Sequence, residues 1–372
     1  MMNMEFFMPT RLITGEHCVM ENRRRLAAFG SRCLIVTGGS GARRSGALAD
    51  LTAVLEAEGV TYEIFDRITP NPAVSLCQAG GQAAAAFRAQ FVVGVGGGSP
   101  LDAAKAVAVF AANPEMTEAE FYSADWPRPP LPIVLVGTTA GTGSEVTSVA
   151  VLTDSAGRKH SIHDDRLYAA LALGDARYTM TLPRDVTLST GIDAVAHCVE
   201  SAFSKKADRL SRLFAAEGVR LALPALSAAA GADTAPDAQT RAQLYAASIL
   251  GGLAINRTGT VFPHNVGYYL TERWGIPHGF ACAVFLPDLL DHVAQSAPAL
   301  AEDFYRAAGV SADELRQLVR ACRPSMNACA TEAELRAALP RWQNNGSVKN
   351  TVGAVSQEQI FTALKQLLVD RA

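Results

Sequence analysis

Over roughly the first half of the chain, short runs of β-branched and aromatic residues alternate with alanine-rich stretches of helical spacing. The runs cover residues 33–37, 62–65, 91–95 and 132–136, and between them residues 47–58, 74–88 and 101–110 place apolar side chains three and four positions apart. This alternation predicts a parallel sheet covered by helices. After Leu182-Pro183-Arg184 the strand signals stop, and the chain reads as successive amphipathic helices broken at Pro224, Gly251-Gly252, Pro263, Pro277 and Pro324. The expectation is an α/β domain over residues 1–182 and an all-helical domain over 183–372, with residues 227–239 as a surface loop.

Composition narrows the class. Hydrophobic residues make up 49% of the 372 and charged residues 19%, enough apolar surface for real cores. The 33 basic and 36 acidic side chains leave a net charge of −3, so no field of one sign exists to hold a polyanion, and nucleic acid is not expected as a partner. Basic clusters at residues 23–25, 43–44 and 205–206 read as solvated surface, with only Arg43-Arg44 reconsidered below. No apolar run reaches the roughly 18 residues of a bilayer span, and the first residues lack the pattern of a signal peptide, so a soluble cytoplasmic protein is expected. Seven cysteines without a C-x-x-C pair are expected to be reduced and mostly buried.

Two loops carry candidate chemistry. Val95 ends a buried run, and Gly96-Gly97-Gly98-Ser99-Pro100 then opens a helix, with Ser99 expected as N-cap, Pro100 at the first helical position and Asp102 in a capping-box place. Unhindered N–H groups at a positive helix end suit a diphosphate, although a tight turn is the plainer alternative. The usual dinucleotide fingerprint is not met, because serine stands where its third glycine belongs. The second loop, Gly137-Thr138-Thr139-Ala140-Gly141-Thr142-Gly143-Ser144-Glu145, also follows a strand. Two such loops in one domain argue for a nucleotide.

In the helical half, Asp193 and His197 stand four apart, which puts a carboxylate and an imidazole on one helix face. His264 and His278 each follow a proline, which places them at helix rims. One oxygen and three imidazole nitrogens suit Fe²⁺ or Zn²⁺ better than Mg²⁺ or Ca²⁺. Spacing alone leaves other fates open: a capping box between Thr190 and Asp193, and structural roles for the histidines. His17, His160, His163 and His292 take the structural reading, the second and third near the nucleotide loops.

These pieces together resemble the iron-containing (group III) alcohol dehydrogenase family along nearly the whole chain. The matching segments are Asn71-Pro72, residues 96–102, residues 138–145, residues 191–197 and Ile276-Pro277-His278-Gly279. The resemblance implies an N-terminal dinucleotide-binding α/β domain, an all-helical C-terminal domain and an active site in the cleft between them. It implies Asp193, His197, His264 and His278 as ligands of one divalent metal, Fe²⁺ favoured and Zn²⁺ possible. It further implies Gly96, Gly97, Gly98, Ser99 and Asp102 at the diphosphate, Asn71 at the cofactor, Thr138, Thr139 and Thr142 near the nicotinamide ribose and ring, and Lys159 near a ribose. Hydride would pass between NAD(P)(H) and a small alcohol or aldehyde whose oxygen the metal polarises. A homodimer is the family expectation.

Two departures stand out. Many NAD-using members follow the first strand with an acidic residue, whereas here Gly38-Gly39-Ser40-Gly41-Ala42-Arg43-Arg44 offers nothing to repel a 2′-phosphate. A preference for NADP(H) is expected, with Gly38, Gly39 and Ser40 making room and Arg43 or Arg44 supplying charge. Many members also carry a histidine four residues after the ligand equivalent to His264, thought to relay the alcohol proton; here it is Tyr268. The relay is expected through Tyr268, water or the cofactor ribose. Ser148, Tyr268, Trp274 and Cys282 are expected to line the substrate pocket. The rival readings are a zinc polyol dehydrogenase of the glycerol type, a dehydroquinate-synthase-like lyase, a metal-free reductase, and a non-catalytic nucleotide-binding protein.

Overall fold

The computed structural model describes residues 6–324 and 326–370. Six parallel strands form one sheet in the order β1-β8-β5-β4-β2-β3: β1 Arg11–Thr14, β2 Arg32–Val36, β3 Thr61–Phe65, β4 Phe91–Gly96, β5 Ile133–Gly137 and β8 Leu171–Gly174. A separate antiparallel pair joins β6 Val149–Thr153 to β7 Lys159–His163. Strands β4 and β5 are buried along their whole length, as a parallel sheet with both faces covered requires. Alternate side chains go to opposite faces. Leu34, Val36, Val92 and Leu135 join one core with residues of helices α2 (Val74–Phe87) and α3 (Gly98–Ala112). Ile35, Val93, Val95, Val134 and Val136 join the other with Leu48, Leu51 and Leu55 of α1 (Ala47–Ala57).

The strand order contains a switch point. From β2 the chain moves outward to β3, then returns to place β4 on the other side of β2. At such a point the connections leave in opposite directions, and the carboxyl ends of β2 and β4 open a crevice. The loops after β2, β4 and β5 therefore emerge side by side at one sheet edge. Strands β1 and β8, four residues each, and the β6–β7 pair were not among the expected runs.

Contacts divide the chain into two compact units, one of residues 7–183 with 237–245, the other of residues 184–236 and the chain from 246 onward, with Phe6. The second unit is helical. Its central helix, α4 (Arg184–Ala202), is buried at almost every position from Thr187 to Ala202. Helix α5 (Arg209–Gly231) packs along it, with Gly218 against Cys198. Helices α7 (Phe262–Trp274) and α8 (His278–Ala283) belong to the same unit, and α6 (Ala238–Thr258) begins in the first unit and continues into this one.

Three expectations need correction. Pro224 lies inside α5, and Gly251-Gly252 inside α6, so neither ends a helix. Around Pro224 a continuous buried stripe holds the turns together despite the missing N–H. The loop expected over residues 227–239 shrinks accordingly to residues 232–237. Helix α5 is also long and apolar enough, by length and composition, to cross a membrane, which the run-length reading had excluded; its buried stripe against α4 is that of a core helix.

Candidate metal centre and nucleotide loops

Strand β4 ends at Gly96 with φ near +149°, and α3 begins immediately at Gly98 with Gly97 as N-cap. Ser99 is therefore not the cap, and Pro100 is the third helical residue rather than the first. The Ser99 hydroxyl instead accepts the backbone N–H of Asn71 at 3.3 Å, and Asn71 itself is exposed with φ of 55°. Asp102 closes no capping box either. Its Oδ1 accepts from the Ser144 hydroxyl at 2.6 Å and its Oδ2 from the Val151 N–H at 3.0 Å, so it ties α3 to the loop after β5 and to β6. Burial raises its pKa, and Lys105, Ser144, Val151 and Lys159 oppose that shift. Lys105, fully buried, donates to Ser144 Oγ at 2.9 Å and to the Val149 carbonyl at 2.7 Å. What an early helix start leaves free is the first-turn N–H groups, which have no intrahelical acceptor.

The second loop lies against the first. Thr138 N donates to the Gly96 carbonyl at 2.8 Å. A Cβ on Gly97 would stand 3.0 Å from Thr139, and one on Gly98 2.5 Å from Thr142, so any larger residue there would displace the threonines. Thr142 Oγ1 accepts from Ser144 N at 3.3 Å, which orients the loop's end. In the third loop a Cβ on Gly38 would sit 1.8 Å from the Ile68 carbonyl, so only glycine fits. Gly39 has φ of 56°, and after Ser40 the chain makes one helical turn, Gly41–Arg44. Arg43 and Arg44 are both exposed, and the Arg43 guanidinium stands 3.3 Å from Asp66. The structure thus brings together the loops of Gly38, Gly97 and Thr139 at one sheet edge, with Lys159 close enough to act on the Asp102 carboxyl.

The second candidate site is built on α4. Asp193 and His197 lie in its interior, which excludes the capping box: Thr190 is mid-helix and its hydroxyl donates to the Val186 carbonyl at 2.9 Å. His264 stands in the first turn of α7 and His278 opens α8. The glycine after His278 sets the approach of α8 to α4, since a Cβ on Gly279 would fall 1.8 Å from the Ser189 carbonyl and 2.9 Å from Asp193 Cβ. His264 Nε2 lies 3.4 Å and His278 Nε2 3.8 Å from Asp193 Oδ1. The His197 ring stacks on that of His264 at 4.6 Å. Of the four expected ligands, Asp193, His264 and His278 bring their ligand atoms together, and His197 stands beside them through its stack on His264.

Two atoms decide what the cluster can hold. Asp193 Oδ1 and His264 Nε2 are buried and have no hydrogen-bond partner, though they face each other. His264 Nδ1 is already engaged, 2.5 Å from Glu200 Oε1, so its N–H points there and the Nε2 lone pair points at the carboxylate. Two opposed, desolvated lone pairs are costly unless a cation lies between them. The electrostatics agree. Burial pushes the Asp193 carboxyl up, but His197, His278 and His264 more than reverse this and hold it below the usual carboxylate range. Burial lowers the His264 imidazole, and Cys282, Glu200 and Asp193 outweigh it and raise the ring well above the usual histidine range, so that without a metal a proton on Nε2 takes the place of the cation. The cluster demands positive charge, and its oxygen and imidazole donors suit a borderline divalent ion.

Glu200 was missed in the sequence. It lies seven residues after Asp193 and three after His197, on the same face of α4, so the i, i+4, i+7 spacing could have found it. Cys282, expected as pocket lining, lies within the metal cluster: ligand atoms of Asp193, His264, His278 and Cys282 are all within 4.8 Å of one another. Tyr268 is half-buried with its ring 5.6 Å from that of His278. Trp274 packs on Tyr269, and Ser148 is fully buried in the sheet unit with its hydroxyl unpaired. The remaining histidines have structural surroundings: the His17 N–H donates to Asp175, His160 stacks on Tyr122, His163 lies in β7, and His292 Nε2 is 2.9 Å from the Val352 carbonyl. The cysteines are free, six buried and Cys329 exposed.

Comparison with known proteins gives the family. Residues 9–176 match the family described as iron-containing alcohol dehydrogenase, and residues 187–343 match the C-terminal domain of that family. The chain belongs to the iron-containing alcohol dehydrogenase family. It is 32% identical to long-chain-alcohol dehydrogenase 1 of Geobacillus thermodenitrificans over 78% of this chain and 72% of that enzyme. Across curated relatives the matched stretch runs from 66% to 74% of their length. An iron-containing alcohol dehydrogenase of Thermotoga maritima superposes with a TM-score of 0.90 at 32% identity, covering 98% of this chain and 99% of that one. A sulfoacetaldehyde reductase of Bifidobacterium kashiwanohense, solved in complex with NAD+, gives 0.88 at 26% identity and covers 99% of each chain. The protein is a metal-dependent alcohol dehydrogenase that uses an iron-type metal and a nicotinamide cofactor, and the polyol, lyase and binding-protein readings are not favoured.

Glu200→Gln keeps a hydrogen-bond acceptor for His264 but removes the charge behind it. Metal affinity, read by calorimetric titration of the metal-stripped protein with Zn²⁺, should fall by about tenfold.

Proposed function

We propose that Asp193, His197, His264 and His278 hold the metal of this dehydrogenase, and that the sheet unit binds the nicotinamide cofactor, NADP(H) in preference to NAD(H). The observation that carries the metal assignment is the facing pair of buried, unpartnered acceptors, Asp193 Oδ1 and His264 Nε2. When bound, the metal acts as a Lewis acid on the oxygen of a small alcohol or aldehyde, and the nicotinamide exchanges hydride with the adjoining carbon. Fe²⁺ is favoured by the family and Zn²⁺ fits the same donors.

The protein's own residues supply the rest. The first-turn N–H groups of α3, with Gly96, Gly97, Gly98 and Ser99, receive the diphosphate, while Asp102 fixes the neighbouring loop through Ser144. Thr138, Thr139 and Thr142 stand toward the ribose and nicotinamide, and Asn71 and Lys159 complete the cofactor contacts. The space at Gly38, Gly39 and Ser40 takes the 2′-phosphate, with Arg43 and Arg44 supplying charge; Asp66 beside Arg43 moderates that charge. Tyr268, beside His278, passes on the alcohol proton. A homodimer and a cytoplasmic location rest on the family resemblance and on the composition.

An absorbance assay of NADPH oxidation with short aldehydes, paired with elemental analysis, tests the metal assignment. Asp193→Ala should lose bound metal and drop kcat by more than about 100-fold, beyond the range seen for residues that only support a ligand. The cofactor preference predicts a higher kcat/KM with NADPH than with NADH. Replacing Arg43 and Arg44 by Ala should cut the NADPH value by about tenfold or more and leave the NADH value in place. Tyr268→Phe should lower kcat and shift its pH profile; an unchanged profile would remove Tyr268 from the relay.

A further inference from the structure

The metal cluster contains a donor beyond the four assigned ligands. Cys282 is fully buried, one helical turn after His278 in α8, so both side chains leave the same face toward Asp193. Its Sγ lies 3.4 Å from His278 Nδ1, 3.9 Å from His278 Nε2 and 3.9 Å from the His264 carbonyl. Bond lengths of about 2.3 Å to sulfur and about 2.1 Å to nitrogen or oxygen imply separations between neighbouring donors of about 3.0–3.8 Å around a five-coordinate ion. The observed spacings from Asp193 Oδ1 to His264 Nε2 and to His278 Nε2 are 3.4 and 3.8 Å, so with the sulfur they approach those edges. The independent sign that these atoms face a cation is again the unpartnered, buried Asp193 Oδ1 and His264 Nε2.

We propose that Cys282 is a ligand of the bound metal, its thiolate biasing this site toward ions that accept sulfur, Zn²⁺ and Co²⁺, relative to Fe²⁺. On binding, the thiol S–H bond breaks, its proton leaves to solvent and a sulfur–metal bond forms; no electrons change hands. The charge is reasonable, since a carboxylate and a thiolate together neutralise a divalent ion. Thiolate is the softest donor in the cluster and the one that discriminates most among first-row metals. The inference rests on the metal assignment proposed above.

The test uses Co²⁺ as the probe, because its absorption separates the two claims. The full-length protein, stripped of metal and kept reduced, is titrated with Co²⁺. Visible ligand-field bands report binding at the oxygen and imidazole donors, and an intense near-ultraviolet sulfur-to-cobalt charge-transfer band reports the thiolate. Both are expected in the unmodified protein. In Cys282→Ser and Cys282→Ala the charge-transfer band should vanish while the ligand-field bands remain, and the Zn²⁺ to Fe²⁺ affinity ratio should fall by about tenfold or more. Ligand-field bands without a charge-transfer band, or a charge-transfer band that survives in both variants, would overturn the role of Cys282 and leave the metal assignment standing. No Co²⁺ binding at all would overturn both. The serine variant conserves volume, and circular dichroism of each variant confirms that the fold is retained.

Discussion

A buried carboxylate oxygen and a buried imidazole nitrogen, 3.4 Å apart and lacking any hydrogen-bond partner, form the constraint on which the helical unit depends. Leaving such groups desolvated is unfavourable, and a protein keeps them only where something positive lies between them. Around this point the surrounding elements make sense. Helix α4 is buried on nearly all sides because it carries Asp193, His197 and Glu200 inward. Gly279 is bare because α8 must come within contact of the Ser189 carbonyl to deliver His278. Glu200 engages the far nitrogen of His264, so the near one is left facing Asp193.

In the sheet unit the corresponding constraint is the supply of backbone N–H groups at the carboxyl edge of a parallel sheet. The switch point between β2 and β4 opens a crevice there, and three loops of small residues line it. Their close fit is quantitative. At Gly38, Gly97 and Gly98 an added methyl would meet a neighbouring carbonyl or threonine at 3.0 Å or less. Small residues thus serve two purposes, close packing between adjacent loops and access of a ligand to the backbone. Lys105 and Asp102, both drawn into the interior, hold the loop after β5 in register with α3 through Ser144.

Much of this was legible in the residues. The β-branched runs at 33–37, 91–95 and 132–136 are buried on both faces, so their apolar character was continuous and easy to read. Strands β1 and β8 are only four residues long, too short to show a pattern of their own. Pro224 and Gly251-Gly252 misled because local helix-breaking preference was overridden by burial along α5 and α6. Ser99 looked like a cap because serine before proline usually is one; the triple glycine lets the helix begin two residues sooner.

By itself the sequence determined the class of each half, the order of the loops, and the donor types: one aspartate and three histidines in fixed order, since periodicity and residue chemistry are local properties. Only the tertiary structure decided that Asp193, His264 and His278 meet, that Glu200 stands behind His264, and that the Cys282 sulfur joins the group. His264 and Glu200 are 64 residues apart, and which side chains face one another across such a gap is set by how helices cross, which no short window of residues contains.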